Sequence, residues 1–323
     1  MWCTSQVSWL FLSNGTVYVV EGQANCPRVA LGLGISGAGC FHRGSFLADT
    51  NEFSVRFWGV RGSIACSAED VIRYGGNTSS LEVTAGDRTL LFDAGSGIRY
   101  LGKKMVQQKP HQAYLFLTHT HFDHVCGLPF FVPFFVPGWS FRVWAGHLLP
   151  DHTLASVLED MMIAPLFPVP PAIFNANIDY VDFRSGDTLD LGDGITVRTS
   201  PLIHPNNASG YRVEFEGKSI CYITDTEHPV DGNDPVLVEF LRDADIVIYD
   251  ASYNEEEYKS RVGWGHSTWE AGVRLCDEAG VKTYVVFHHD PEHDDTFMDG
   301  VARDVEAARP GSIVAREGMV ITP

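Results

Sequence analysis

From Phe53 onward the chain is punctuated by short runs of β-branched and aromatic residues. These are "FSVRFWG", "SLEVTA", "TLLFD", "AYLFLT", "FRVWA", "ITVRT", "YRVEF", "SICYI", "DIVIYD" and "TYVVF", bounded by Gly, Asp or Asn, the signature of strands. Helical periodicity is rarer. In "HTLASVLEDMMI", Leu154, Val157, Leu158 and Met161 recur at the spacing of one helix face. "HSTWEAGVRLCDEAG" opens with Ser267 three residues before Glu270, which predicts a capping box, and closes at Gly280. "DDTFMDGVARDVEAARPG" aligns Phe297, Val301 and Val305 and stops before Pro310. Many strands with helices between and after them predict an α/β protein with two packed sheets covered by helices. No internal repeat is visible. Residues 1–52 break the pattern: "LGLGISGAGCFHRGSFLADTN" is rich in Gly and Ser without periodicity. They read as a poorly ordered N-terminal extension ahead of one domain at 53–323.

Composition narrows the function. With 323 residues, 45% of them hydrophobic, the chain is long enough for a full core. Its 23 basic and 41 acidic residues leave a net charge of −18, which repels polyanions, so long nucleic acid is not an expected partner. The densest basic stretch is only "GKK" at 102–104. Small anionic substrates stay open, because a metal centre reverses the field locally. The seven cysteines have no regular spacing and form no CxxC, which suggests reduced thiols and a cytoplasmic location. No apolar run is long enough to span a membrane. The apolar "VSWLFL" near the N-terminus has no preceding Lys or Arg, a poor signal peptide.

The chemistry concentrates in "LTHTHFDHVCG", where His119, His121, Asp123 and His124 follow the strand-like "AYLFL". Ligands at the C-terminal end of a strand point into the crevice where α/β proteins bind small molecules. His119 and His121 alternate along one extended side; Asp123 and His124 come around the turn. Downstream, His204 in "TSPLIHP", Asp225 in "CYITDTEH" and His288 in "VVFHHDP" also follow strands. Two sets result: His119, His121 and His204 for one metal, and Asp123, His124 and His288 for a second, with Asp225 bridging. Four nitrogen and oxygen ligands per ion, with no sulfur, suit two Zn²⁺, though Mn²⁺ or Fe²⁺ fit the same donors. His289 competes with His288 for the last position, and His288 is preferred because it leaves the strand first. Lone histidines at 42, 111, 147, 152, 228 and 293 are taken as structural.

These residues resemble the metallo-β-lactamase fold hydrolases, whose hallmark is HxHxDH, and within them the ribonuclease Z-like and cyclic-nucleotide phosphodiesterase-like branch. The resemblance covers roughly residues 53–323 and includes "FWGVRGSI", "RYGGNTSSLEV", "LLFDAGSGIR", "THTHFDHVCGLPFF", "YITDTEH" and "GHSTWEA". It implies a four-layer αββα sandwich with two mixed sheets flanked by helices. It also implies that His266, in the His-Ser-Thr loop, lies beside the metals with Asp250 as its partner. Ribonuclease Z-like sequences commonly carry Glu where this chain has Asp250. They also carry a long flexible arm for transfer RNA, and no Gly-rich basic insertion matches it here.

The expected activity is therefore hydrolysis of cyclic nucleotides or similar small phosphodiesters by a metal-bridging hydroxide. Asp123 would orient the nucleophile and His266, held by Asp250, would protonate the leaving oxygen. Asp93 is expected to steady the histidine loop or to cap backbone N–H groups. Asn77 and Thr78 in "GGNTSS" are expected on a turn that donates hydrogen bonds near the site. Phe130, Phe131, Phe134, Phe135, Trp139 and Phe167 fit core packing or a subunit contact, which leaves a homodimer open, with nucleobase stacking as the alternative. Two rival functions use the same residues: an acyl hydrolase of lactones, thioesters or β-lactams, and a non-catalytic ligand sensor.

Overall fold

The computed structural model describes residues 9–13, 16–20 and 52–323. Two strands near the N-terminus, β1 (Trp9–Ser13) and β2 (Thr16–Val20), pair antiparallel with each other. The expectation of a poorly ordered extension at 1–52 otherwise falls outside the described residues.

The remaining chain builds two sheets of seven strands. It runs through β3 (Phe53–Gly59), β4 (Ser80–Ala85), β5 (Arg88–Phe92), α1 (Ile98–Met105), β6 (Gln112–Leu117) and the single-turn α2 (Phe122–Val125). β7 (Ser140–Ala145), α3 (Leu154–Met161) and β8 (Asn177–Asp182) complete the first half. The second half holds β9 (Thr188–Gly192), β10 (Ile195–Leu202), β11 (Ala208–Phe215), β12 (Lys218–Ile223), α4 (Pro235–Leu241) and β13 (Ile246–Asp250). It continues with α5 (Glu255–Tyr258), α6 (Trp269–Glu278), β14 (Thr283–Phe287), α7 (Asp295–Ala308) and β15 (Ile313–Val314), and β16 (Val320–Ile321) returns to pair with β3.

The two sheets share one pairing scheme. In the order β16-β3-β4-β5-β6-β7-β8, three antiparallel pairings are followed by three parallel ones. The order β9-β10-β11-β12-β13-β14-β15 repeats that sequence. Because β10 and β12 are each antiparallel to β11, β10 runs the same way as β12, β13 and β14. The C-terminal ends of these four strands therefore open on one edge, where Asp250 ends β13 and the loops that leave β10, β12 and β14 carry His204, Asp225 and His288.

Side-chain alternation explains the layers. On β12 and β13, Tyr222, Ile246 and Ile248 face Phe57, Phe92 and Phe116 of the first sheet, in the core between the sheets. Their neighbours Cys221, Ile223, Val247 and Tyr249 face outward, against α4, α6 and α7. The first sheet's outer face packs on α1, α3 and the aromatic loop after α2. Strands covered on both faces read as continuous apolar runs, as β13 does. Each fully buried Leu or Phe contributes roughly 1.5–3 kcal/mol. The result is the expected helix–sheet–sheet–helix sandwich.

Two local expectations change. Thr268, not Ser267, caps α6 by accepting from the N–H of Ala271 at 3.1 Å. Ser267 Oγ is engaged instead by His228 Nδ1 at 2.8 Å and by the Tyr249 hydroxyl at 3.0 Å, so the Ser267–Glu270 capping box does not form. The helix does end at Gly280, which takes the positive φ (+69°) that glycine tolerates. Among the described residues, no helix is long and apolar enough to cross a membrane.

Candidate metal centre

The metal-ligand candidates converge, although they come from loops far apart in sequence. His119 leaves β6; His121 precedes α2, which carries Asp123 and His124. His204, Asp225 and His288 follow β10, β12 and β14. Asp225 and His288 have positive φ, at +57° and +64°, as does Asp93 after β5 at +57°. This conformation is sparsely populated for side chains other than Gly and costs about 1–3 kcal/mol each. Here it turns each side chain abruptly off its strand.

Asp225 lies at the centre and is almost fully buried. Its Oδ1 is 3.7 Å from His119 Nε2 and 3.8 Å from His204 Nε2. Its Oδ2 is 3.1 Å from His124 Nε2 and 3.2 Å from His288 Nε2. One carboxylate thus faces two pairs of imidazoles, and ligand atoms of His119, His124 and Asp225 also lie within 4.8 Å of one another. His121 Nδ1 joins the first group, 3.0 Å from His204 Nε2, and Asp123 Oδ2 joins the second, 3.2 Å from His124 Nε2.

The donors fit divalent cations on several counts. His119 Nε2 is buried and has no hydrogen-bond partner. Burial first, then the neighbouring His124, holds that imidazole well below its ordinary pKa, so it is neutral and presents a lone pair. His124 and His288 turn their Nε2 atoms toward each other at 3.3 Å and toward Asp225 Oδ2 at 3.1 and 3.2 Å. Ligand atoms of His119, His121 and His204 lie within 4.8 Å of one another, as do those of Asp123, His124 and His288.

Outer contacts fix the rings. Asp93, fully buried, accepts from His124 Nδ1 at 2.8 Å, from the Tyr222 hydroxyl at 2.8 Å and from the Thr118 N–H at 2.8 Å. The Thr118 hydroxyl donates to Asp93 and sits 3.1 Å from His119 Nδ1. Asp93 therefore performs both expected roles, bracing the histidine loop and capping a backbone N–H, and it governs two imidazoles at once. His204 Nδ1 donates to the Gly265 carbonyl at 2.7 Å, and Ser252 Oγ lies 3.1 Å from His288 Nδ1. Asp93→Asn is expected to weaken metal affinity roughly tenfold to a hundredfold, measured by competition with a chromogenic chelator.

His288 and His289 differ in orientation, His288 facing Asp225 and His289 the interior. His289 donates from Nε2 to the Ala315 carbonyl at 2.9 Å and packs edge-on against Tyr74, facing the interior. Its burial lowers its pKa to about 3. The expected pair at the rim also meets: His266 Nδ1 is 2.9 Å from Asp250 Oδ2, so the shorter aspartate reaches. Asp250 is fully buried and also accepts from the N–H groups of Thr226 and Ser252. Burial alone would lower the His266 pKa, but Asp250, then Asp225 and Asp123, outweigh it and raise it to about 9. The His266 ring stacks on His288 with centroids 5.0 Å apart.

Residues 88–289 match the family model described as the Beta-lactamase superfamily domain. This chain belongs to that superfamily. A curated relative, ribonuclease Z of Synechococcus sp., is 24% identical over 305 residues, covering 75% of this chain and 92% of its own. Among solved structures, the metallo-beta-lactamase fold protein YhfI from Bacillus subtilis aligns with TM-score 0.62 at 16% identity, over 84% of this chain and 99% of its own. A diphosphatase from the PhnP family aligns with TM-score 0.62 at 18% identity, over 84% of this chain and 98% of its own. At these identities the structural likeness speaks for the fold.

In this β-lactamase superfamily chain, other contacts were not evident from sequence. Arg61 is fully buried, donating to the carbonyls of Gly75, Asp290 and His293. It anchors the loop on which the Ser63 N–H donates to Asp123 Oδ2 at 2.8 Å. Gly62 passes so close to His288 that a Cβ would lie 2.4 Å from the ring; only the "RGS" spelling permits the approach. Asn77 and Thr78 do not serve the site. Asn77 donates twice to Glu317, while Thr78 exchanges hydrogen bonds with Ser96. Of the aromatics expected at the mouth, Phe131, Phe134 and Trp139 are buried in the outer core and Phe135 packs against it. Phe130 is 55% exposed and meets Phe167 edge-on.

Proposed function

We propose that this chain is a phosphodiesterase with two divalent metal ions, acting on cyclic nucleotides or similar small phosphodiesters. The observation that carries the reading is the division of Asp225 between two imidazole groups, with the Asp250–His266 pair beside them. In this assignment His119, His121 and His204 hold one ion, Asp123, His124 and His288 hold the other, and Asp225 bridges. The sulfur-free donor set favours Zn²⁺. Divalent ions bound there would lower the pKa of a water and neutralise charge on the phosphoryl oxygens.

The protein's own groups complete the reaction. Asp123, oriented by the Ser63 N–H, would align the attacking water. His266 would carry a proton on Nε2 while Asp250 holds Nδ1–H. As the P–O bond to the leaving group breaks, that proton passes to the departing alkoxide. The contact with the buried Asp250 carboxylate supports a charged imidazole. Phosphoryl chemistry is supported by the ribonuclease Z relative and the diphosphatase neighbour. The net charge of −18 favours a small substrate over a polymeric one.

The test compares bis(p-nitrophenyl) phosphate, a p-nitrophenyl carboxylate ester and a lactone on metal-reconstituted protein. Turnover of the diester, abolished by a chelator and restored by Zn²⁺, is the expected outcome. Turnover of the carbon esters alone would replace this reading with the acyl hydrolase.

A further inference from the structure

Residues 254–264 carry the single-turn α5 and lead to His266, and none of them is buried. Core packing therefore does not fix this stretch. Its end is also permissive, because Gly263 and Gly265 take positive φ, at +87° and +85°. Yet the residues it delivers are closely placed. The Gly265 carbonyl accepts from His204 Nδ1 at 2.7 Å, and His266 Nδ1 meets Asp250 Oδ2 at 2.9 Å. Polar contacts have to supply the order that burial does not.

Glu227 supplies them near the end of the loop. It lies two residues after Asp225, but where Asp225 turns into the metal centre, the Glu227 carboxylate turns to the loop. Its Oε1 accepts from the Tyr258 hydroxyl at 2.6 Å and from the Gly263 N–H at 2.7 Å. Short bonds to a charged acceptor are stronger than neutral ones, and one oxygen here closes the loop between two points. Glu227 is itself tied down, since its N–H donates to the carbonyl of Ile203, next to His204, at 2.8 Å. Its neighbours reinforce the contact: the Thr226 N–H donates to Asp250 Oδ2 at 3.2 Å, and the His228 ring packs on Tyr258 with centroids 4.4 Å apart. The start of the loop has a separate anchor, Glu257 Oε1 on His293 Nε2 at 2.8 Å.

We infer that Glu227 is a positioning residue: through Tyr258 and Gly263 it fixes the loop that delivers His266 to the metal centre. The inference rests on the proposed phosphodiester reading, in which His266 protonates the leaving oxygen, and adds the group on which that placement depends. Misplacing a reacting group by about 1 Å can cost about a hundredfold in rate.

The test uses the full chain at saturating Zn²⁺, with Glu227→Ala, Glu227→Gln and Tyr258→Phe. Glu227→Ala is expected to lower kcat by roughly tenfold to a hundredfold on a linear dinucleotide. Turnover of bis(p-nitrophenyl) phosphate should stay near the parent value, because its leaving group needs no proton from His266. Glu227→Gln keeps an acceptor oxygen and should recover most of the loss, while Tyr258→Phe, which removes one donor, should reproduce part of it. In a His266→Ala background, Glu227→Ala should add no further defect. Hydrogen exchange of the 258–266 segment, which needs no turnover, should quicken in Glu227→Ala and Tyr258→Phe. Equal losses on the two diesters, or defects that multiply in the double variant, would overturn the inference. Diester turnover with exchange unchanged in both variants would do so while sparing the proposed function. Faster exchange in a protein that turns over no diester would keep Glu227 as the anchor of the loop and discard the hydrolysis.

Discussion

Asp225→Ala is expected to empty the site of metal and to lower phosphodiester turnover by at least about a thousandfold, the equivalent of roughly 4 kcal/mol in the barrier. The reason is geometric. Both oxygens of Asp225 are committed, each within 3.1–3.8 Å of two imidazole nitrogens, and among the described residues no other carboxylate is within 4 Å of imidazoles of both groups. Removing it leaves six ligands in two groups with no anion between them to offset the cations' mutual repulsion. Metal content by plasma emission spectroscopy, alongside circular dichroism to verify folding, is the measurement. Asp225→Asn guards against a simple packing defect, since it keeps the shape and loses the charge. Two ions per chain retained in either variant would refute the bridging role.

His266→Ala is expected to lower kcat by about 10²–10⁴ on a diester with an alkoxide leaving group. Metal content should stay at the parent level, because His266 Nδ1, although 3.8 Å from Asp225 Oδ1, is held by Asp250 at 2.9 Å, and the two proposed ligand sets do not include it. The decisive comparison varies the leaving group. A general acid matters most when an alkoxide departs and least when p-nitrophenolate does, so the defect should be far larger for a linear dinucleotide than for bis(p-nitrophenyl) phosphate. An equal defect on both would reduce His266 to electrostatic support of the phosphoryl group.

Much of the site was legible because its largest piece is local. His119, His121, Asp123 and His124 fall within six consecutive positions, and the remaining candidates each follow an apolar strand. The inner strands were legible for a similar reason: burial on both faces makes them unbroken apolar runs. The edge strands were not. β8 and β9, "NIDYVD" and "TLDLG", lie at the borders of their sheets and alternate acidic or polar residues with apolar ones, as edges that avoid pairing with other chains do. The Ser267 cap failed because tertiary partners, His228 and Tyr249, claimed its hydroxyl. Arg61, Gly62, Ser63 and Ser252 act through neighbours brought together only by folding, such as His293 for Arg61 and His288 for Gly62 and Ser252. No short-range pattern marks such contacts. His288 was preferred over His289 only because it leaves the strand first; strand periodicity alternates sides but does not say where a strand ends.

The repeated pairing scheme of the two sheets has a thermodynamic corollary. His119, His121, Asp123 and His124 belong to the half that ends with β8, and His204, Asp225 and His288 to the half that begins with β9. On the proposed assignment neither half holds a full coordination set, so an ion gripped by both would act as a rivet across the seam. By mass action, a ligand present at a hundred times its dissociation constant adds about 2.7 kcal/mol to the state that binds it. Cohesion between the halves thus tracks the free-ion concentration of the surroundings, and starvation for the cofactor would loosen the scaffold as well as silence it.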